Sequence, residues 1–217
     1  MRAIFLCGLL LSLLLTGCSS DQDSGAYNRG IYLLIDTSGT YTNELNKAQQ
    51  IINYTLAKLN SGDTFVVASI DTASFSEKDI ISKITFDDRP SKANQQKRIF
   101  KEKIDQYVKQ VKSSRYTDIT GGILQATEFL NERNSQTKTI LIFSDLKEEL
   151  KEGYIRDIPF TLQGFDVVAL NVTKLRSDNI DPREYMDRLA EWNRRVEEGG
   201  GQWKVINDLE RLDKLVQ

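Results

Sequence analysis

The sequence contains no histidine, and its two cysteines, Cys7 and Cys18, both lie within the first 18 residues. Histidine is the commonest general base in enzymes and the commonest protein ligand of transition metals, so other side chains would have to fill both roles. The 29 basic and 31 acidic residues give a formal net charge of -2. Because there is no basic excess to attract phosphates, we expect no nucleic-acid partner.

The first 17 residues have the composition of an export signal. Met1-Arg2 forms a short positive segment, and the apolar segment from Ala3 to Leu15 is too short to span a membrane. Leu15-Thr16-Gly17-Cys18 resembles the bacterial lipobox, in which cleavage before the cysteine is coupled to its acylation. The alternative is an ordinary signal peptide followed by a chance cysteine.

The lipobox resemblance implies three parts: a lipoprotein signal peptide over residues 1–17, a lipidated Cys18 with a flexible tether over 18–28, and one domain over 29–217. Cys7 would be removed and Cys18 acylated, which leaves no thiol for nucleophilic or redox chemistry. Ser19 after the cysteine favours the outer membrane over retention at the inner one. We therefore expect a protein of the bacterial cell envelope, anchored by lipid and facing the periplasm.

An apolar run over 31–35 ends abruptly at Asp36, and Ser38 and Thr40 follow at alternate positions. Such a run predicts a strand buried on both faces, and ligands bind at the carboxyl ends of strands in open α/β sheets. A carboxylate and two hydroxyls form a hard oxygen set, which suits Mg2+, Mn2+ or Ca2+ better than Zn2+ or Cu2+.

Asp36-x-Ser38-x-Thr40 is similar to the D-x-S-x-S motif of the von Willebrand factor type A (VWA) domain, which holds a metal-ion-dependent adhesion site. That family also supplies a threonine from a second loop and an aspartate from the end of a later strand, which match Thr117 and Asp145 here. The resemblance implies a divalent-cation site of Asp36, Ser38, Thr40, Thr117 and Asp145. Leu146 stands where the family often has glycine, so we expect the turn there to differ.

Strand and helix patterns alternate along the chain, which predicts an α/β fold: a doubly wound, mostly parallel, Rossmann-like sheet with helices on both faces. The VWA resemblance adds one antiparallel edge strand, predicted near 79–86. The other predicted strands cover 64–70, 138–144, 165–172 and 202–206, and the predicted helices cover 43–59, 92–112, 119–130, 181–198 and 208–216.

Three sets of residues are open to two interpretations. The lysine-rich face of the helix at 92–112 would contact anionic lipid headgroups or, as we favour, simply face solvent. The run Lys147-Glu148-Glu149-Leu150-Lys151-Glu152 would form the rim of the metal site or, as we favour, an exposed helix start. Trp192 and Trp203 would form a binding platform or, as we favour, pack in the core or half-buried.

The leading functional hypothesis is a non-enzymatic module that binds an envelope protein through the cation, with an acidic residue of the partner completing its coordination. The second is a magnesium-dependent hydrolase, because haloacid-dehalogenase-like phosphatases carry D-x-D after a first strand. Ser38 stands in the place of that second aspartate, and the sequence has no glycine-rich phosphate loop. The third hypothesis is a VWA scaffold with a vestigial metal site.

Overall fold

A computed structural model describes residues 28–71 and 76–208, without the side chain of Thr40. The predicted signal peptide, Cys18 and the tether up to Tyr27 lie outside the described residues. The same holds for all but the first residue of the helix predicted at 208–216.

The described chain forms one six-stranded sheet with the strand order β3-β2-β1-β4-β5-β6. Its strands are β1 (Arg29–Ile35), β2 (Thr64–Ser69), β3 (Ile80–Thr85), β4 (Thr137–Phe143), β5 (Phe165–Leu170) and β6 (Gln202–Ile206). All neighbours are parallel except β3, which pairs antiparallel with β2 at one edge. The predicted doubly wound α/β fold with one antiparallel edge strand is therefore confirmed.

Four α-helices within the described residues cover the sheet: α1 (Leu45–Lys58), α2 (Pro90–Gln110), α3 (Ile119–Glu132) and α4 (Pro182–Glu198). Side chains of β1 alternate between the two faces. Leu33 and Ile35 pack with α1 and α2, whereas Tyr32 and Leu34 pack with α3 and α4. Because both faces are covered, β1 is buried along almost its whole length. The carboxyl end of β1 lies at the same end of the sheet as the carboxyl ends of the other parallel strands, where the loops to the helices leave.

Glycine allows α3 to approach the sheet closely. A β-carbon on Gly122 would lie 2.7 Å from Ile70 and 3.0 Å from Leu34, closer than atoms in ordinary contact. None of the helices in the described ranges is both long enough and apolar enough to cross a membrane.

Three of the differences from the prediction concern helix starts. A 3-10 helix over Gly39–Glu44 precedes α1, which therefore begins at Leu45 rather than at Asn43. Pro90 begins α2, which was predicted to begin at Lys92, since proline fits the first turn, where its missing N–H is not needed. The predicted helix start at 147–152 is wrong, because these residues are extended or turn. Trp192 is buried and Trp203 is half-buried, as expected.

Candidate metal centre

Asp36 follows β1 directly and remains aligned with the sheet. Its N–H donates to the carbonyl of Phe143 at the end of β4, at 2.9 Å. The residue is fully buried. The parallel alignment of β1 and β4 therefore brings the residues after Phe143, which are Ser144 and Asp145, to the same edge as Asp36.

The Asp36 carboxylate is surrounded by neutral hydrogen-bond donors. The Ser38 N–H donates to Oδ1 at 2.8 Å and the Thr117 hydroxyl to the same oxygen at 3.4 Å, while the Ser144 hydroxyl donates to Oδ2 at 2.6 Å. Burial raises the pKa of Asp36, and these hydrogen bonds act in the opposite direction. Within the described ranges no lysine or arginine forms an ion pair with Asp36, so its charge lacks a protein counter-ion.

Backbone hydrogen bonds fix Thr117 beside this carboxylate. The N–H and carbonyl of Thr117 pair with the carbonyl and N–H of Glu149, at 2.8 and 2.9 Å. The next residue, Asp118, caps α3 by accepting from the Gly121 N–H at 2.7 Å. A partly buried ion pair with Arg156, at 2.8 Å, holds the Asp118 side chain in that position. Thr117 is thus held between a helix N-terminus and the segment that leaves β4.

A further pair of hydrogen bonds joins the loop after β1 to the loop before α3. The Ser114 N–H donates to the Thr37 carbonyl at 2.8 Å, and the Gly39 N–H donates to the Ser114 carbonyl at 3.1 Å. The loop before α3 therefore forms a short parallel bridge to the loop that carries Ser38.

Asp145 is the second acidic group at this edge. It is 7% exposed, and its Oδ1 accepts from the Lys147 N–H at 2.9 Å. Burial raises the pKa of Asp145 to about 6, and the negative charge of Asp36 adds to that rise. The charge of Asp36 thus disfavours the ionised form of Asp145, which is the situation that a bound cation relieves.

Two side chains of α4 hold the turn after β4. The Arg188 Nε donates to the Asp145 carbonyl and the Trp192 Nε1 donates to the Leu146 carbonyl, each at 2.9 Å. Arg188 is itself fixed by an ion pair with the buried Asp178 at 2.8 Å. Leu146 has φ +66°, a left-handed conformation that glycine adopts more easily. A buried leucine therefore occupies the position where the VWA family often has glycine, and side chains of α4 hold the backbone of this turn in place.

The charged run after Asp145 lies along one side of the centre. Both oxygens of Glu148 bind Thr120, accepting from its N–H at 2.6 Å and from its hydroxyl at 3.0 Å. Arg195 donates to the same hydroxyl at 2.8 Å. Together with the backbone pairing of Glu149, these contacts keep the run extended, which contradicts the helix interpretation.

Of the five predicted ligands, Asp36, Ser38 and Thr117 are joined by direct hydrogen bonds, and Asp145 interacts with Asp36 through its charge. The side chain of Thr40 lies outside the described part. Sequence reasoning missed Ser144, whose hydroxyl also accepts from the Leu146 N–H at 3.0 Å. Its position immediately before Asp145, at the end of a buried strand, was the available signal.

Hydroxyl oxygens are indispensable to any metal site here. Among the described residues no group of three or more His, Cys, Asp and Glu side chains could hold a metal ion. Asp36 and Asp145 supply two carboxylates, and the remaining donors at this edge are hydroxyls. Carboxylates and hydroxyls together are ligands for hard cations.

No protein-family model matches the sequence, and neither does any curated protein. Solved structures do match. The chain is similar to a von Willebrand factor type A protein from Catenulispora acidiphila, at 15% identity and a TM-score of 0.54, over 87% of this chain and 41% of that one. It is also similar to the pilus adhesin SpaC from Lactobacillus rhamnosus GG, at 12% identity and a TM-score of 0.53, over 87% of this chain and 29% of that one. It thus spans less than half the length of either protein. The chain has the fold of the von Willebrand factor type A domain.

Proposed function

We propose that this chain is a lipid-anchored, non-enzymatic binding module of the bacterial cell envelope. It recognises a partner protein through a divalent cation held by Asp36, Ser38, Thr40, Thr117 and Asp145. The observation that carries the proposal is the fully buried carboxylate of Asp36, which meets only neutral donors among the described residues.

The residues present fit a hard divalent cation. A buried carboxylate is unfavourable unless it is paired or coordinated, and Asp36 has a second carboxylate, Asp145, as its charged neighbour. A cation between them would remove the repulsion and replace the lost solvation of both groups. Because every side-chain donor is oxygen, Mg2+ is the expected metal, with Mn2+ or Ca2+ as substitutes.

The proposed partner contributes an acidic side chain. Ser38 and Thr117 are neutral and hold position without cancelling the charge of the metal. If one aspartate binds only through water, a cation here stays electrophilic at its open position and favours a carboxylate. The pilus adhesin among the similar structures supports a role in adhesion. For a hydrolase of the D-x-D type, position 38 would need a second acid, yet Ser38 is neutral and donates its N–H to Asp36.

The proposed anchor is the acylated Cys18, with residues 1–17 removed and 18–28 acting as the tether of a VWA-like domain over 29–217. Fully extended, the tether reaches about 35 Å. The domain would then stay close to the membrane, which we place at the periplasmic face of the outer membrane.

The test is site-specific crosslinking in intact cells. A photo-crosslinking amino acid replaces the exposed Lys147 at the rim, in chains that carry either Asp36→Asn or the control Asp88→Asn. Asp88 is exposed and lies after β3, at the opposite end of the sheet. We expect one crosslinked protein with the parent and with Asp88→Asn, and its loss with Asp36→Asn or after chelation of divalent cations. The same crosslink from Asp36→Asn would show that the metal centre does not bind the partner.

A further inference from the structure

A buried tyrosine fixes the loop that carries Ser38 and Thr40. Tyr41 is 2% exposed and lies in the 3-10 helix that follows β1. Its N–H donates to the Ser38 carbonyl at 2.8 Å, which closes a turn around these two predicted ligands. Its ring meets that of Phe143, the last residue of β4, edge to face, with 5.0 Å between the ring centroids. The backbone path through Ser38 and Thr40 therefore depends on the position of Tyr41.

One residue after β5 binds the Tyr41 hydroxyl in both directions. The hydroxyl donates to the Asn171 carbonyl at 2.5 Å and accepts from Asn171 Nδ2 at 3.1 Å. The same amide also donates to Oε2 of Glu44, the last residue of the 3-10 helix, at 3.1 Å. A single asparagine thus ties the loop after β1 to the end of β5 at two points.

The backbone of Asn171 is held in the conformation that this contact needs. Its φ is +53°, in the left-handed region that asparagine adopts more readily than most residues. Its N–H donates to the Ile206 carbonyl of β6 at 3.1 Å, and the residue is 7% exposed. Because Asn171 is anchored on the sheet, Tyr41 cannot move outward without losing its hydrogen bonds to that residue.

Tyr41 acts on the metal centre through the loop and not as a ligand. Its hydroxyl already has an acceptor and a donor in Asn171. The loop that it holds supplies Ser38 and Thr40, two of the five proposed ligands. Fixing Tyr41 therefore limits how far these ligands can move apart to fit a larger ion.

We infer that the Tyr41–Asn171 contact makes this centre selective for Mg2+ over Ca2+. Mg2+ binds oxygens at about 2.0–2.1 Å in near-ideal octahedral geometry, through one or two carboxylates and several waters, whereas Ca2+ takes about 6–8 oxygens at about 2.3–2.6 Å. The proposed ligands include two carboxylates, Asp36 and Asp145, which matches Mg2+. A loop fixed at Tyr41 cannot spread to the longer distances that Ca2+ requires. The inference rests on the proposed function, because it needs a divalent cation at Asp36.

The test measures Mg2+ and Ca2+ affinity by displacement of Mn2+, whose free form gives an EPR signal, from the detergent-solubilised full chain. Tyr41→Phe removes only the hydroxyl. The matched control is Tyr32→Phe, because Tyr32 is also fully buried but its hydroxyl has no hydrogen-bond partner among the described residues. We expect Tyr41→Phe to weaken Mg2+ binding about tenfold, the equivalent of about one hydrogen bond, and Ca2+ binding no more than about twofold. Tyr32→Phe should change neither.

Asn171→Gly tests the other half of the contact. Glycine keeps the left-handed backbone and the carbonyl that accepts from Tyr41, but it removes the amide that binds Tyr41 and Glu44. Mg2+ affinity should fall about threefold, less than with Tyr41→Phe, because one of the two hydrogen bonds to the hydroxyl remains. Ca2+ affinity should stay the same. Urea unfolding without metal measures stability separately, and a merely structural contact would lower the unfolding midpoint but leave the ratio of Mg2+ to Ca2+ affinity unchanged.

The outcomes separate this inference from the proposed function. If the parent binds Mn2+ and Mg2+ but Tyr41→Phe keeps the parent's ratio of Mg2+ to Ca2+ affinity, the inference is wrong and the cation centre stands. A parent that prefers Ca2+ leads to the same conclusion. A parent that binds no divalent cation overturns both.

Discussion

Replacing Asp36 by asparagine should abolish stabilisation by the metal while changing the stability of the metal-free protein little. Asparagine keeps an oxygen that can accept from the Ser38 N–H and the Thr117 hydroxyl. On the other side its amide nitrogen meets the Ser144 hydroxyl, which now donates to Oδ2 and accepts from the Leu146 N–H. That hydroxyl would have to accept from the new amide as well and lose its own acceptor. The cost is about one hydrogen bond, or ~1 kcal/mol.

The same substitution removes a buried charge and its repulsion of Asp145, which offsets that loss. Without metal, we therefore expect the free energy of unfolding to change by no more than about 1 kcal/mol. With Mg2+ at a hundred times its dissociation constant, the parent gains about 2.7 kcal/mol by mass action, and the variant gains none. For a domain of this size, that gain raises Tm by roughly 5–10 °C.

The assay is thermal unfolding followed by circular dichroism, with 10-fold steps of Mg2+ and with chelator, for the parent, Asp36→Asn and the control Asp88→Asn. Asp88→Asn should keep the full shift. An Asp36→Asn protein that still shows the Mg2+-dependent rise in Tm would refute the assignment of Asp36 as a ligand. A large loss of stability in chelator would instead show that the carboxylate is needed by the fold.

Four other predictions follow from the sequence and the structure. Cys18→Ala should release the protein from membranes or block its maturation, as cell fractionation and mass spectrometry would reveal; a variant held in the membrane by an uncleaved apolar segment would contradict acylation. In calorimetric titrations Mn2+ should compete with Mg2+ and Zn2+ should not, because the donors are oxygens, and a tight zinc site would mean that the ligands are wrongly assigned. Arg188→Met leaves the buried Asp178 unpaired and should lower the free energy of unfolding by about 3 kcal/mol in urea, whereas the exposed Arg194→Met should change it little. Gly122→Ala places a β-carbon 2.7 Å from its nearest side-chain carbon and should destabilise the domain by about 1–3 kcal/mol, and an unchanged urea midpoint would show that α3 can move away from the sheet.

The strands were predictable because their apolar runs are long and their ends carry turn residues. Asp36 and Asp145 could be placed at one edge of the sheet from the sequence alone, since the carboxyl ends of parallel strands meet there. The N-terminal cap of α3 by Asp118 and the close approach at Gly122 also match residue types that the sequence shows: an aspartate directly before the helix and a glycine pair in its first turn.

The segment at 147–152 shows why the rest was not predictable. Its glutamates and lysines favour helix locally, but Glu149 pairs with the backbone of Thr117 and Glu148 binds Thr120. These partners lie about 30 residues earlier in the chain, so no local pattern reports them, and the tertiary contacts outweigh the propensity. The hydrogen bond from Arg188 to the Asp145 carbonyl, 43 residues away in sequence, could not be predicted for the same reason.

The direction of β1 has a mechanical consequence. The chain enters this strand at Arg29 and reaches Asp36 after seven residues, a rise of about 23 Å. With Cys18 acylated and a partner bound as proposed, membrane and partner would pull on opposite ends of one strand. β4 flanks that strand along its whole length and β2 flanks it from Gly30 onward, both running parallel to it. Tension that reaches Asp36 would therefore pass along the covalent backbone of β1, whereas tension that reaches Asp145 would act as shear on the row of hydrogen bonds between β4 and β1, which have to break together rather than one after another.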